Sequence, residues 1–484
     1  MAAGSPSHGS DATLRFDADV IRKSSQPGPR YTSYPTADRF TSTFRAGDYL
    51  QAVSSVRAMG ARNPLSLYIH VPFCDALCYY CACNKIVTKN HAKATVYLGY
   101  LTQEIDMQAR LFAGMCRVEQ MHFGGGTPTY LTDEQMARLV AHLRSSFDFA
   151  PDSVGEYSIE IDPRTVDAAR VHSLRRQGFN RISLGVQDFD AAVQAAVNRI
   201  QPESQTREAI DAARGAGFRS VSIDLIYGLP KQNLISMAQT LTKVIAADPD
   251  RISIYNYAHM PQLFKSQRLI DARDLPRPED KLDMLALCIC RLTKAGYVYI
   301  GMDHFAKPDD DLAVAQRQGR LHRNFQGYST HADAEMVSCG VSAISAVGAT
   351  YSQNEKTLDA YYEKIERGEL PIARGVQLNN DDVLRRIIIQ TLMCHFELSI
   401  TALELAHPIS FTAYFAAELR QLKAMESDGL LQVGPEWITV TPAGRLLIRN
   451  ICMVFDRYLG QPKKADPDAA PVAGPQAPRY SGTV

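Results

Sequence analysis

The stretch "YIHVPFCDALCYYCACNK" (68–85) starts as an apolar strand and runs into a loop with four cysteines, Cys74, Cys78, Cys81 and Cys83, spaced C-x3-C-x2-C-x-C. Disulfides do not suit a long chain from a reducing compartment, and neighbouring loop thiols would close only tiny rings. Structural zinc usually takes two separated ligand pairs, and no second pair follows here. Three closely spaced thiolates suit a [4Fe–4S] cluster, whose corners one tight loop can reach, leaving one iron for a small molecule. Iron–sulfur ligation ranks ahead of zinc, and zinc stays open on spacing alone.

Working outward, the strand "LSLYIHV" (65–71) is the first of a series. Similar runs follow at 118–124, 157–162, 181–186, 220–226 and 251–258, with amphipathic helical patterns such as "TDEQMARLVAHLRSSF" between them. That alternation predicts parallel β/α units. Six strands predict an α/β fold, an open partial (β/α)6 barrel, with "YVYIGMDHF" (297–305) as one added strand. Residues 1–60 read as an irregular arm ending in a helix, 61–310 as the barrel core, and 311–374 as a connecting, substrate-proximal segment. Residues 375–460 read as helix, helix and hairpin, a mainly helical, winged-helix-like domain. The Pro/Ala/Gly-rich tail, 461–484, reads as disordered.

The chain has 484 residues, 45% hydrophobic and 21% charged, with zero formal net charge, so no global field draws it to nucleic acid or anionic membrane. The N-terminus lacks an apolar signal region, and no run of apolar residues is long enough to span a bilayer; the expected location is cytoplasmic. Cys116, Cys288, Cys290, Cys339, Cys394 and Cys452 lie in apolar stretches and are expected as buried small hydrophobes.

C-x3-C-x2-C after a strand resembles the radical S-adenosylmethionine (SAM) signature. The neighbouring motifs narrow the resemblance. "GPRYTSYPTA", "HFGGGTPTYL", "SIEIDPR", "GVQDFD", "IDLIYGLPKQ", "GMDHFA", "LHRNFQGYST" and "GRLLIRNICMVFDRYL" occur in that order. With the C-x-C-N-K ending at Lys85, they resemble the oxygen-independent coproporphyrinogen III oxidases from about residue 27 to 460. Each motif of the barrel core falls at the C-terminal end of a predicted strand, the rim where β/α barrels place their chemistry.

The resemblance implies that Cys74, Cys78 and Cys81 ligate three irons and that SAM chelates the fourth. It implies two SAM molecules. Tyr68, Gly125, Glu160 and Ile344 would contact the cluster-bound one; Tyr80, Gly126, Thr127, Gln187, Arg199, Asp224 and Ala258 would contact the second. Cys83 is either a packing thiol or a catalytic one near the substrate radical. The implied reaction is anaerobic oxidative decarboxylation of two propionates of coproporphyrinogen III to vinyls, giving protoporphyrinogen IX in haem synthesis. A 5′-deoxyadenosyl radical would take hydrogen from the propionate β-carbon. An external low-potential electron donor and an unidentified acceptor are implied partners, and the enzyme is expected as a monomer. Four propionates call for local cations. Arg30, His70, Lys85, His122, His259, His304, Arg320, His322 and Arg323 are candidates. Two rival readings are a haem-binding chaperone of the same fold, disfavoured by "CNK" and "GPRYTSYP", and a DNA-binding redox regulator, disfavoured by the mixed charges of the C-terminal module.

Overall fold

Apolar runs and helical patterns alternate through the middle of the chain. The computed structural model, which describes residues 14–24, 26–60, 63–461, 480 and 482, gathers the strands into one twelve-stranded sheet. They are β1 (Leu65–Val71), β2 (Val118–Gly125), β3 (Glu156–Ile161), β4 (Arg181–Gln187), β5 (Ser220–Tyr227), β6 (Arg251–Asn256), β7 (Val298–Gly301), β8 (His304–Ala306), β9 (Glu335–Cys339), β10 (Ile344–Val347), β11 (Thr350–Asn354) and β12 (Ile372–Gln377). Their order is β12-β11-β10-β9-β1-β2-β3-β4-β5-β6-β8-β7. Strands β1 to β6 pair in parallel, each with the next, forming the six-stranded β/α core.

Helices α1 (Ala92–Phe112), α2 (Asp133–Ser146), α3 (Ala168–Arg176), α4 (Glu203–Ala216) and α5 (Leu234–Ala247) each return the chain from one core strand to the next, and α6 (Pro278–Lys294) follows β6. Local chemistry sets their ends. Thr132 and Gln135 satisfy each other's backbone amides at the start of α2, at 3.2 and 3.0 Å. Asn233 accepts from the amides of Ile235 and Ser236 at the start of α5. Helix α4 stops at Gly217, whose φ of 80° is left-handed. Strand β1 is buried on both faces except at Tyr68, as a covered parallel strand should be.

Three regions differ from the sequence reading. Residues 297–305, expected as one strand, form two, because Gly301 (φ 147°) and Met302 (φ 52°) turn the chain; β8 pairs antiparallel with both β6 and β7. Residues 311–374, expected as a connection, contain β9, β10, β11 and the start of β12. Strand β9 pairs parallel with β1, and β10 to β12 continue antiparallel beyond it. Strands β9 and β11 are buried at every position, so neither shows the alternation that marks a half-exposed strand. Cys290 is exposed on α6 and Cys116 is half-buried, whereas Cys288, Cys339, Cys394 and Cys452 are buried as expected.

The arm holds the expected helix, Ala46–Ala58, and a shorter one, Ala18–Ser24. Between them it is fastened to the C-terminal module of α7 (Asn380–His395), α8 (Ala416–Ser427) and a small three-stranded sheet. Tyr31 donates to Asp456 at 3.0 Å, and Arg449 donates to the carbonyls of Gly28 and Pro29. The tail expected as disordered lies mostly outside the described residues. Its described positions meet the arm: Tyr480 donates to Asp38 at 2.9 Å, and Gly482 bridges Pro27. Among the described residues, no helix is long and apolar enough to cross a membrane.

Candidate active site

Near the C-terminal ends of β1 to β6, strand register sets polar side chains beside one another. Tyr68 pairs with His122, and His122 with Ser158. The Tyr68 and His122 rings stack, centroids 5.9 Å apart. His122 Nδ1 lies 2.6 Å from Ser158 Oγ, and Nε2 lies 3.3 Å from Glu160 Oε1. The Gly125 amide donates to Glu160 Oε2 at 3.3 Å. Burial pushes the Glu160 carboxyl up, but His122 and the Gly125 amide outweigh it and hold the group below its usual range. Asp224, next along the row, accepts from Ser183 Oγ at 3.0 Å. Burial and the charge of Glu160 raise its pKa to about 6. The two carboxylates are thus driven apart: Glu160 stays ionised, while Asp224 is the one closest to protonation.

The cysteine loop faces this row across a cavity of about 550 Å³. Thr127 Oγ1 points at Cys74 Sγ, 3.5 Å away. Arg164 and Arg199 reach Cys78 Sγ at 3.6 and 3.5 Å, and both clamp Asp162, at 2.7 and 3.0 Å. Lys85 Nζ donates to the Cys81 carbonyl at 2.9 Å. The thiolate is the form that ligates metal; burial pushes the Cys74 thiol up to about 11, while the hydrogen bond from Cys83 and the charge of Lys85 bring Cys81 down to about 6. None of the cysteines is in a disulfide. Among the described residues, no three His, Cys, Asp or Glu side chains converge on a single-ion position. Thiols spaced along the wall of a roomy cavity suit the separated corners of an iron–sulfur cube better than one zinc ion, so the residues fit the implied cluster.

The glycine run forms a cradle. A Cβ on Gly125, whose φ is +115°, would lie 2.6 Å from the His70 ring, and one on Gly126 would lie 2.7 Å from the carbonyl oxygens of Pro72 and Phe73. Only glycine lets this backbone lie so close to the His70 ring and the Pro72–Phe73 carbonyls. The large cavity brings together Cys74, Cys78, Cys81, Tyr80, Gly125, Gly126, Thr127, Glu160, Gln187, Arg199 and Asp224. Tyr68 and Ile344 line a neighbouring cavity of about 280 Å³ that shares Gly125 and Glu160 with it. Cys83 is exposed where the two cavities meet. Ala258 lies beyond β6 and lines neither.

Several candidate cations are corrected. Burial lowers the pKa of His70, His259 and His304, and takes that of His322 down to about 4, so these imidazoles are neutral at pH 7. His70 joins Tyr68 Oη and the Asn84 carbonyl, both at 3.1 Å, and so positions the C-N-K segment. Arg320 is exposed beside Gln318. Arg30 and Arg323 are drawn together under the arm. Sequence reasoning missed Ser183, Arg164 and Tyr255 in the large cavity, and Phe325 and Gln326 in the small one. The last two stand inside the motif "LHRNFQGYST", which carries part of the resemblance and three candidate cations but no local sign of a cavity.

A family model described as the Radical SAM superfamily matches residues 68–244, and one described as the HemN C-terminal domain matches 378–447. Over 447 residues the chain is 50% identical to the oxygen-independent coproporphyrinogen III oxidase of Pseudomonas aeruginosa, covering 92% of this chain and 97% of that protein. It is 45% identical to the protein of the same name from Synechocystis, over 93% of this chain and 97% of that protein. The solved structure titled "Coproporphyrinogen III oxidase (HemN) from Escherichia coli is a Radical SAM enzyme" superposes with a TM-score of 0.87 at 49% identity, covering 92% of this chain and all of that one.

Proposed function

We propose how this chain, which belongs to the oxygen-independent coproporphyrinogen III oxidases of the radical SAM superfamily, divides the work of that reaction among its residues. The enzyme uses a [4Fe–4S] cluster and SAM to convert two propionates of coproporphyrinogen III to vinyls, a step of haem synthesis. When bound, the cluster and SAM supply an electron and then a carbon-centred radical able to remove hydrogen from an unactivated carbon. Cys74, Cys78 and Cys81 hold the cluster. Gly125, Gly126 and Thr127 offer a close backbone wall for a SAM amino-acid group.

Tyr68, Glu160, Gly125 and Ile344 would hold one SAM, and Tyr80, Thr127, Gln187, Arg199 and Asp224 would hold a second. Glu160, kept ionised by His122, pairs with a cofactor ammonium or ribose hydroxyl; Arg199, buried and charged, pairs with a carboxylate. Gly126, also assigned to the second site, lines the large cavity, whereas Ala258, assigned there by resemblance, lines neither. Cys83, exposed where the two cavities meet, would face the reacting carbon, its alternative role being to pack the loop.

The observation that carries this reading is the shared cavity: three thiols on one wall, with Glu160 and Asp224 on the other. Anaerobic reconstitution tests it. The protein should take up close to four irons and four sulfides per chain and form protoporphyrinogen IX from coproporphyrinogen III, SAM and a reductant. Ser at Cys74, Cys78 or Cys81 should abolish the cluster, since a hydroxyl is a poor ligand for soft iron. Stoichiometric zinc without labile sulfide would overturn the reading.

A further inference from the structure

We infer that Arg30, on the N-terminal arm beside Tyr255, and Arg323, in the hairpin whose tip lines the small cavity, form an anchor for a propionate carboxylate of the substrate. The inference rests on the reading above and assigns a substrate contact within it. Arg323 is 3% exposed, yet its Nη1 has no hydrogen-bond partner among the described residues. Its Nε donates to the Arg30 carbonyl at 3.3 Å, and its guanidinium lies 4.8 Å from the centroid of the Tyr328 ring. Arg30 is ion-paired with Asp303 and lies 5.6 Å from the centroid of the Tyr255 ring. No carboxylate among the described residues lies within ion-pair distance of Arg323.

These charges depress one another. Burial and the charge of Arg323 lower the pKa of Arg30; burial, Arg30 and Arg323 lower that of Arg449, to about 9. His304, between Tyr255 and Tyr328, is driven neutral by burial and the same two arginines, and its buried Nδ1 has no hydrogen-bond partner among the described residues. Buried charge normally has a counter-charge, because an unpaired ion in low dielectric is expensive. Arg323, a buried charge with an unused Nη1 donor among the described residues and Arg30 at its side, fits an anion.

Two features connect the cluster to the chemistry. Tyr255, faced by Arg30, lines the large cavity. Arg323 lies in the hairpin 322–329, whose tip residues Phe325 and Gln326 line the small cavity beside Tyr68 and Cys83. Tyr255 therefore links the two: it lines the cavity that holds Glu160 and Asp224, and Arg30 lies over its ring. A carboxylate held at Arg30 and Arg323 would leave the propionate chain, rather than its carboxylate, towards the radical source.

The test uses anaerobically reconstituted protein carrying Arg30→Gln, Arg323→Gln or Arg323→Lys. A buried charge-assisted pair is strong enough that each Gln variant should raise the KM for coproporphyrinogen at least tenfold. Iron content and substrate-free SAM cleavage should stay as in the unaltered enzyme, and Arg323→Lys should recover part of the loss. An unchanged KM in a folded, cluster-loaded Arg30→Gln protein would overturn the inference, and that variant decides alone if Arg323→Gln fails to fold. Absence of turnover by the unaltered enzyme would instead overturn the functional reading.

Discussion

Asp224→Asn should make the protein more stable and a worse enzyme at the same time. Folding lifts the Asp224 pKa from 3.8 to about 6, chiefly through burial and then through repulsion from Glu160. At 1.36 kcal/mol per unit, that is about 3 kcal/mol of penalty on the ionised form. The side chain lines a cavity that water enters, and screening there reduces the figure to about 1–2 kcal/mol. Because the folded pKa is raised, the penalty is fully present above about pH 6, fades as pH falls, and is gone below 3.8, the value of the unfolded chain. The amide keeps the hydrogen bond from Ser183 but carries no charge. Thermal unfolding of cluster-free protein should therefore place the Asn variant above the unaltered protein at pH 7.5, with the difference shrinking by pH 5. SAM affinity measured by anaerobic calorimetry should fall by about 10- to 100-fold, the worth of a hydrogen bond to a charged group. A variant less stable at pH 7.5, or one that binds SAM as tightly, would refute this account of Asp224.

Gly125→Ala should keep iron but lose SAM binding, because the new Cβ meets the His70 ring at 2.6 Å from a backbone with φ +115°; iron analysis and calorimetry separate the two effects. Cys83→Ser should keep a full cluster, read as iron content and electron paramagnetic resonance of the reduced protein, while losing most product formation. Loss of iron would make Cys83 a ligand. Deleting residues 1–40 should leave the cluster and SAM binding largely intact and abolish turnover of coproporphyrinogen, since Arg30 and the arm over Tyr255 go with it. Unchanged turnover would show the arm dispensable.

The core strands were legible because each couples a β-branched run to a rim residue, and such local signals survive without tertiary information. Strand β9 was not legible. Its neighbour in the sheet is β1, with Leu65 opposite Glu335, and nothing local announces so distant a pairing. At the site, the three-thiol spacing and the glycine run are local and were readable. The pairing of His122 with Glu160 and the double clamp on Asp162 depend on strand register and on side chains from separate loops. The histidines show the same limit from another side. His70, His304 and His322 looked like cations because the letter H does not reveal burial, and burial is what removes their charge.

The grip of Arg449 on the carbonyls of Gly28 and Pro29 has a consequence for how the protein is made. The contact with Pro29 spans 420 positions of sequence, so at about 5–20 residues per second the arm emerges from the ribosome roughly 20–80 s before its clasp exists. During that interval the barrel can fold while the arm that carries Arg30 is still loose. Cluster delivery then has an open door, which shuts when synthesis ends. A ribosome-stalled chain halted before residue 440 should accept iron and sulfide faster than the released protein and show protease cleavage within residues 26–40. Equal loading rates and a protected arm would mean that the arm closes without its clasp.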